Sequence, residues 1–307
     1  MTIAIWLGIF VLCLASLIKA SDWFIDAAEE LGKSMGIPSF VIGITIVAIG
    51  TSLPELAASI AAVLSDESEI VVGNAVGSNI TNIALVLGIV SLMASFAFDL
   101  KALRGEIAFV VMSAVLLYVL ALDGSYGRTD SIILIVGLIG FLFVTLSGNH
   151  DDEKVTKSKI DTKTILILLG AGAVIYFGAT YLVKAIIKLS DLLNIGSEII
   201  ALSLVALGTS LPEVLVSVAA ARKGKPEMAL GNIMGSNVFN AFAVIGFPGL
   251  LVNLTVPGSI LNFSLPLLIM VSFMFLAYIF YKRATKAMGI VFLLVYLMFL
   301  GGLVYFT

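Results

Sequence analysis

Two glutamates stand where a glutamate is hardest to keep. Glu55 and Glu213 each close the hexapeptide Gly-Thr-Ser-Leu-Pro-Glu, at 50–55 and 208–213. Each lies deep inside a stretch long and apolar enough to cross a bilayer. A charged side chain there costs about 2.5–3.5 kcal/mol even on insertion scales. No Lys or Arg occurs within 37–64 or 195–221 to neutralise them, so the partner has to be a cation from solution. Carboxylates together with hydroxyls and backbone carbonyls form a hard oxygen shell. That shell suits Ca²⁺, which takes about 6–8 oxygens in flexible geometry; Na⁺, close to it in size, can share the same ligands. His150 is the only histidine and Cys13 the only cysteine, so a zinc or copper site is not expected.

The residues around each glutamate add to the oxygen supply. Proline has no N–H and clashes with the carbonyl four residues back, which belongs to Gly50 for Pro54 and to Gly208 for Pro212. The helix is therefore expected to break or kink there, freeing carbonyls near Ala48–Thr51 and Ala206–Thr209. In hydrocarbon such groups need protein, water or an ion. Thr51, Ser52, Thr209 and Ser210 bring hydroxyls to the same places. A second motif, Gly-Asn-x-x-Gly-Ser-Asn-x-x-Asn, occupies 73–82 and 231–240. Its four-residue spacing puts Asn74, Ser78 and Asn82 on one helix face, and Asn232, Ser236 and Asn240 on another. Its glycines allow close helix approach. Asn74 and Asn232 are expected to brace helices rather than bind ions; the spacing leaves the parts of Asn79 and Asn237 open.

The elements that must position these groups are membrane spans. Of 307 residues, 60% are hydrophobic and 12% charged, against about 25% charged in a soluble domain. With about 20 apolar residues per span, ten segments qualify: 3–27, 37–64, 69–95, 104–122, 129–147, 164–189, 195–221, 227–252, 260–281 and 286–305. The first has no basic leader or small-residue cleavage site, so it reads as a mature span rather than a signal peptide. Sorted by side, 14 of the 17 basic residues fall on one face and Arg128, Lys184 and Lys188 on the other. The positive-inside rule puts the larger set in the cytoplasm, with both termini outside and a polar linker, 148–163, inside. Asp22, Asp26, Glu29 and Glu30 read as a solvated or interfacial face.

The chain repeats itself. Residues 37–89 and 195–247 align without a gap at an offset of 158, which carries Thr51 to Thr209, Glu55 to Glu213 and Asn82 to Asn240. Each half, 1–147 and 164–307, holds five spans. An odd number turns the second copy upside down. The link between the paired helices agrees: it is acidic in copy one (SDESE, 65–69) and basic in copy two (RKGKP, 222–226). The fold class expected is an all-α integral membrane protein of ten transmembrane helices in two inverted five-helix repeats. Inverted repeats build many secondary transporters, with the site at the midplane where the copies meet.

The doubled pair of motifs, in inverted copies, resembles the α-repeats of the sodium/calcium exchanger family of the cation/calcium antiporter superfamily, in its short-linker prokaryotic form. The resemblance implies that helices two, three, seven and eight form a core around four cation sites, with Glu55 and Glu213 as shared Ca²⁺ and Na⁺ ligands. It assigns Ala48, Thr51, Ser52 and Ser78 to an inner Na⁺ site, Ala206, Thr209, Ser210 and Ser236 to an outer one, and Asn82 and Asn240 to the middle. The helices at 3–27 and 164–189 resemble the family's sliding gate. Where some members carry an aspartate that supports K⁺ binding, this chain has Asn240, which argues against K⁺ dependence. The expected function is Na⁺/Ca²⁺ antiport by alternating access, electrogenic at three Na⁺ per Ca²⁺, in the cell membrane, with no cofactor, no nucleic acid and no obligatory protein partner. The alternative is an H⁺/Ca²⁺ antiporter, since protons also neutralise acids. A channel fits the inverted repeats less well. An intramembrane enzyme would need a nucleophile–base pair or metal site that the motifs lack.

Overall fold

The computed structural model describes residues 3–93, 103–148, 161–192, 210–281 and 285–306. These residues form α1 (Ile3–Met35), α2 (Ser39–Leu64), α3 (Ser68–Met93), α4 (Arg104–Asp123) and α5 (Arg128–Ser147), then α6 (Thr162–Leu192), α7 (Leu211–Arg222), α8 (Pro226–Leu251), α9 (Ile260–Phe280) and α10 (Lys286–Phe306). Nine of them are long and apolar enough to cross a bilayer; α7 is the described part of the tenth. Beside the helices stand two-residue strands, β1 (Ser125–Tyr126) and β2 (Leu254–Thr255), paired antiparallel.

Burial runs inside out relative to a chain in water. The outer helices α1, α5 and α10 turn large apolar side chains such as Leu12, Phe143 and Met298 outward, as lipid-facing helices do. By contrast α8 is buried at every residue from Met228 to Ile245. It is the centre of the protein, against α2, α3 and α7.

Small residues permit this. A Cβ on Gly231 would lie 2.5 Å from the Phe40 carbonyl, and one on Gly235 would collide with the backbone of Ile44 and lie 2.6 Å from the Cβ of Ala48. The second motif's glycines thus bring α8 against the backbone of α2, as the sequence indicates.

Two contacts fix which ends share a face. The β1–β2 pair joins the α4–α5 link to the α8–α9 link. At the other end, Lys223 Nζ lies 2.6 Å from Asp26 Oδ2, and Lys225 pairs with Glu29, which also holds Lys33 at 2.8 Å. This clasp ties the end of α1 to the α7–α8 link. Both contacts agree with alternate crossing of ten spans, which puts the α2–α3 and α7–α8 links on opposite faces. The repeats are therefore inverted.

Two expectations change. The first helix does not stop at residue 27; it runs 33 residues, about 50 Å at 1.5 Å per residue, longer than the hydrocarbon core. Its overhang carries Asp26 and Glu29, which are ion-paired rather than merely solvated. Secondly, α2 does not break at Pro54. Its α-helical part continues from Ala48 through Pro54 to Leu64, and the irregularity is a π-helical turn one step upstream, Gly43–Val47. The π turn ends before Gly50, whose carbonyl Pro54 faces, so the helix carries the proline within regular α-helix. In copy two, Ser210 stands outside the helix and α7 begins at Leu211 with Pro212 in its first turn, where a missing N–H removes no helical bond.

The longest side-by-side packing joins α1 to α6. Leu17, Ala20 and Phe24 on α1 and Ala171, Ile175, Ala179 and Leu182 on α6 are buried, and Gly178 sits against Leu17 and Gly172 against Phe24. A cavity of about 720 Å³ opens among α1, α2 and α6, lined by Phe24, Ile49, Thr51, Gly172 and Tyr176 among others.

Candidate cation site

Glu55 projects from α2 and Glu213 from α7, both fully buried, and their carboxyl groups are close enough to repel one another when both are ionised. Among the described residues no basic side chain bonds either one. Both oxygens of Glu55 and Oε2 of Glu213 lack a hydrogen-bond partner. Glu213 Oε1 accepts from Ser52 Oγ at 3.1 Å, a bond from repeat one to repeat two.

Further buried oxygens without partners stand on the packed helices and at the start of α7: Asn82 Oδ1, Asn240 Oδ1 and Ser210 Oγ. Both amide nitrogens of those asparagines are also unbonded. A buried polar atom left unsatisfied costs roughly 1–3 kcal/mol, and buried groups are as a rule paired. Most of these unpaired atoms fall on the residues that the motifs single out. Asn82 and Asn240 each open a π-helical turn, Asn82–Val86 and Asn240–Val244. Such turns recur at functional sites.

A second cluster adjoins the first. Thr51 Oγ1 donates to Asn232 Oδ1 at 3.1 Å and lies 3.3 Å from Ser236 Oγ. It is also 3.3 Å from the Ala48 carbonyl. The sequence reading grouped Thr51 with Ser78 and Ser236 with Thr209. In the structure the Thr51 hydroxyl meets Ser236 of the opposite repeat. Ser78 is buried on α3, one turn before Asn82. Ala206 and Thr209 lie outside the described residues.

The bracing role expected of two asparagines holds. Asn74 Nδ2 donates to Ser59 Oγ and to the Glu55 carbonyl, both at 3.1 Å; Asn232 Nδ2 donates to Ser217 Oγ at 2.9 Å. Ser59 and Ser217 escaped the sequence reading, although each stands four residues after its glutamate in both copies. Asn79 and Asn237 occupy equivalent places but bond differently. Asn79 Nδ2 reaches the Asn237 carbonyl at 3.0 Å, whereas Asn237 Nδ2 bonds Ile233 O of its own helix at 2.7 Å.

An inverted-repeat membrane protein with a paired-carboxylate, oxygen-rich site at the junction of its repeats is, as a class, a cation carrier rather than an enzyme. The sodium/calcium exchanger protein family matches residues 5–147 and again 163–305, and the chain belongs to that family. Similar relatives include the sodium/calcium exchanger MaX1 of Methanosarcina acetivorans, 34% identical over 97% of this chain and 98% of that protein. Another is an uncharacterised membrane protein of Methanocaldococcus jannaschii, MJ0091, 32% identical over 96% and 97%. Among solved structures, the sodium-calcium exchanger NCX_Mj soaked with Na⁺ and Sr²⁺ superposes with a TM-score of 0.86 at 30% identity, covering 97% of this chain and 98% of that one.

Proposed function

We propose that this protein exchanges Na⁺ for Ca²⁺ across the cell membrane by alternating access, without a K⁺ requirement. The reading rests chiefly on two buried carboxylates with no basic partner among the described residues, accompanied by further unpaired buried oxygens. Glu55 and Glu213 would hold Ca²⁺ or Na⁺ in competition, with Asn82 and Asn240 between them and Thr51, Ser52, Ser210, Ser78 and Ser236 serving Na⁺. The carbonyls of Ala48 and Ala206 and the hydroxyl of Thr209 complete the assignment.

Charge counting supports an electrogenic cycle. Two carboxylates carry about two negative charges. One Ca²⁺ neutralises them; three Na⁺ leave one positive charge, worth about 2.3 kcal/mol per 100 mV. An empty pair is too costly to occlude, so the gate moves only when ions are bound, and the two fluxes are coupled. The paired helices α1 and α6 are the moving element in this scheme. The repeats, 1–147 and 164–307, face each other across the site, with both termini outside and the 148–163 linker inside.

The test is Ca²⁺ flux into proteoliposomes under Na⁺, K⁺ and pH gradients imposed separately. A Na⁺ gradient alone should drive uptake, and an imposed voltage should alter its rate. Uptake driven by a pH gradient without Na⁺ would establish the H⁺/Ca²⁺ antiporter instead.

A further inference from the structure

A hydroxyl that binds a cation must turn a lone pair toward the ion and send its proton elsewhere. In a dry site the proton needs a dedicated acceptor. Thr51 and Ser236, 3.3 Å apart and buried, share one: Thr51 Oγ1 donates to Asn232 Oδ1 at 3.1 Å, nearer than its other acceptor, the Ala48 carbonyl at 3.3 Å, and Ser236 Oγ makes a long contact to the same amide oxygen at 3.5 Å. The opposite end of that amide is held by Ser217, whose Oγ accepts from Asn232 Nδ2 at 2.9 Å. All four residues are at most 2% exposed, which favours a protein acceptor over bulk water. Turned the other way, the amide would offer N–H groups to the two hydroxyls and occupy the lone pairs an ion needs.

We propose that Asn232, locked by Ser217, is a positioning residue that makes acceptor ligands of the Thr51 and Ser236 hydroxyls and thereby sets Na⁺ affinity without touching the ion. The proposal rests on the exchanger reading. Thr51 and Ser236 are neutral ligands beside the carboxylate pair. A monovalent ion held by neutral oxygens depends on their orientation, whereas Ca²⁺ is held by the charges of Glu55 and Glu213. The relay therefore tunes one ion and not the other. It also crosses the repeats: Ser217 and Asn232 belong to copy two and act on a hydroxyl of copy one.

The experiment reconstitutes full-length protein and measures half-saturation for Na⁺ in Na⁺-dependent Ca²⁺ uptake and for Ca²⁺ in Na⁺-free Ca²⁺/Ca²⁺ exchange. Ser217→Ala should raise the Na⁺ value about tenfold, the low end for outer-shell partners of metal ligands, and leave the Ca²⁺ value unchanged. Ser217→Thr, which keeps an oxygen acceptor, should restore the Na⁺ value. Should Ser217→Ala fail to fold, Ser217→Cys, with a sulfur that accepts weakly, takes its place. An unshifted Na⁺ value, a joint shift of both ions, or failure of the threonine to rescue would overturn the proposal. If the unmodified protein shows no Na⁺-driven Ca²⁺ flux, the exchanger reading itself falls and takes this proposal with it. Normal flux with unshifted variants refutes the relay alone.

Discussion

Replacing Glu55 by glutamine removes one charge and almost nothing else. The side chain is fully buried, both its oxygens are unpartnered, and among the described residues no basic side chain bonds it. The isosteric amide keeps the volume and one carbonyl oxygen. With Glu213 as the only remaining carboxylate, an occluded Ca²⁺ would carry one uncompensated positive charge. Leaving one side of a buried charge pair unmatched costs about 3–5 kcal/mol. At about 1.4 kcal/mol per decade, Ca²⁺ occupancy of the occluded state should fall by roughly two to three and a half decades. The assay is Na⁺-gradient-driven ⁴⁵Ca²⁺ uptake at fixed voltage, run beside thermal unfolding of the purified protein with and without Ca²⁺. Uptake should drop below detection. Ca²⁺ should no longer raise the melting temperature, because stabilisation follows binding. In ion-free buffer the variant should melt no lower than the parent, since a buried uncompensated charge has been removed. Uptake close to that of the parent, at sub-saturating Ca²⁺, would refute the reasoning, as the carboxylate could not then be a ligand.

Three further outcomes are expected. Asn240→Asp adds a third carboxylate at a buried position with no hydrogen-bond partner, so Ca²⁺ should leave one negative charge over, and uptake should become dependent on K⁺ or pH; unchanged cation dependence counts against Asn240 in the site. Gly235→Ala drives a methyl into the backbone of Ile44, and overpacking of this kind costs about 1–3 kcal/mol, which thermal unfolding should register as a lowered melting temperature. Lys225→Met and Glu29→Gln should each destabilise by up to about 1 kcal/mol, because the pair is partly exposed, with less than additive loss in the double variant; full additivity would show that the two side chains do not interact.

Much of the architecture is legible in the residues because membranes impose simple rules. Span lengths, the odd count per half and the opposite charges of 65–69 and 222–226 give the inverted repeat directly. Glu55 and Glu213 stand out because charge is rare where they sit. Other features are silent for physical reasons. The π turns at Gly43–Val47, Asn82–Val86 and Asn240–Val244 differ from α-helix by a single added residue and leave no compositional trace. The sequence places a break at Pro54, since proline clashes with a regular α turn; the helix runs through it instead, and the irregular turn lies upstream at Gly43–Val47. Pairing across the repeats is equally hidden. Thr51 meets Ser236 of the other repeat because α8 slots against α2 through Gly231 and Gly235, a choice among neighbours that spacing along one helix does not encode. Ser59 and Ser217 were within reach, since both follow a glutamate by four residues, but serine in a spanning helix so often bonds its own backbone that the repetition carries little weight unaided.

The clasp between α1 and the α7–α8 link has a consequence for biogenesis. Lys223 and Lys225 are among the basic residues that the positive-inside rule counts, yet in the folded protein each is matched to an acid on the first helix. The topogenic signal is thus spent once while the chain is being threaded and again after it has folded. Reversing these lysines would disturb two stages at once, delivery of the second half in the correct sense and its later attachment to α1, whereas altering Asp26 or Glu29 would spare the first and loosen only the second.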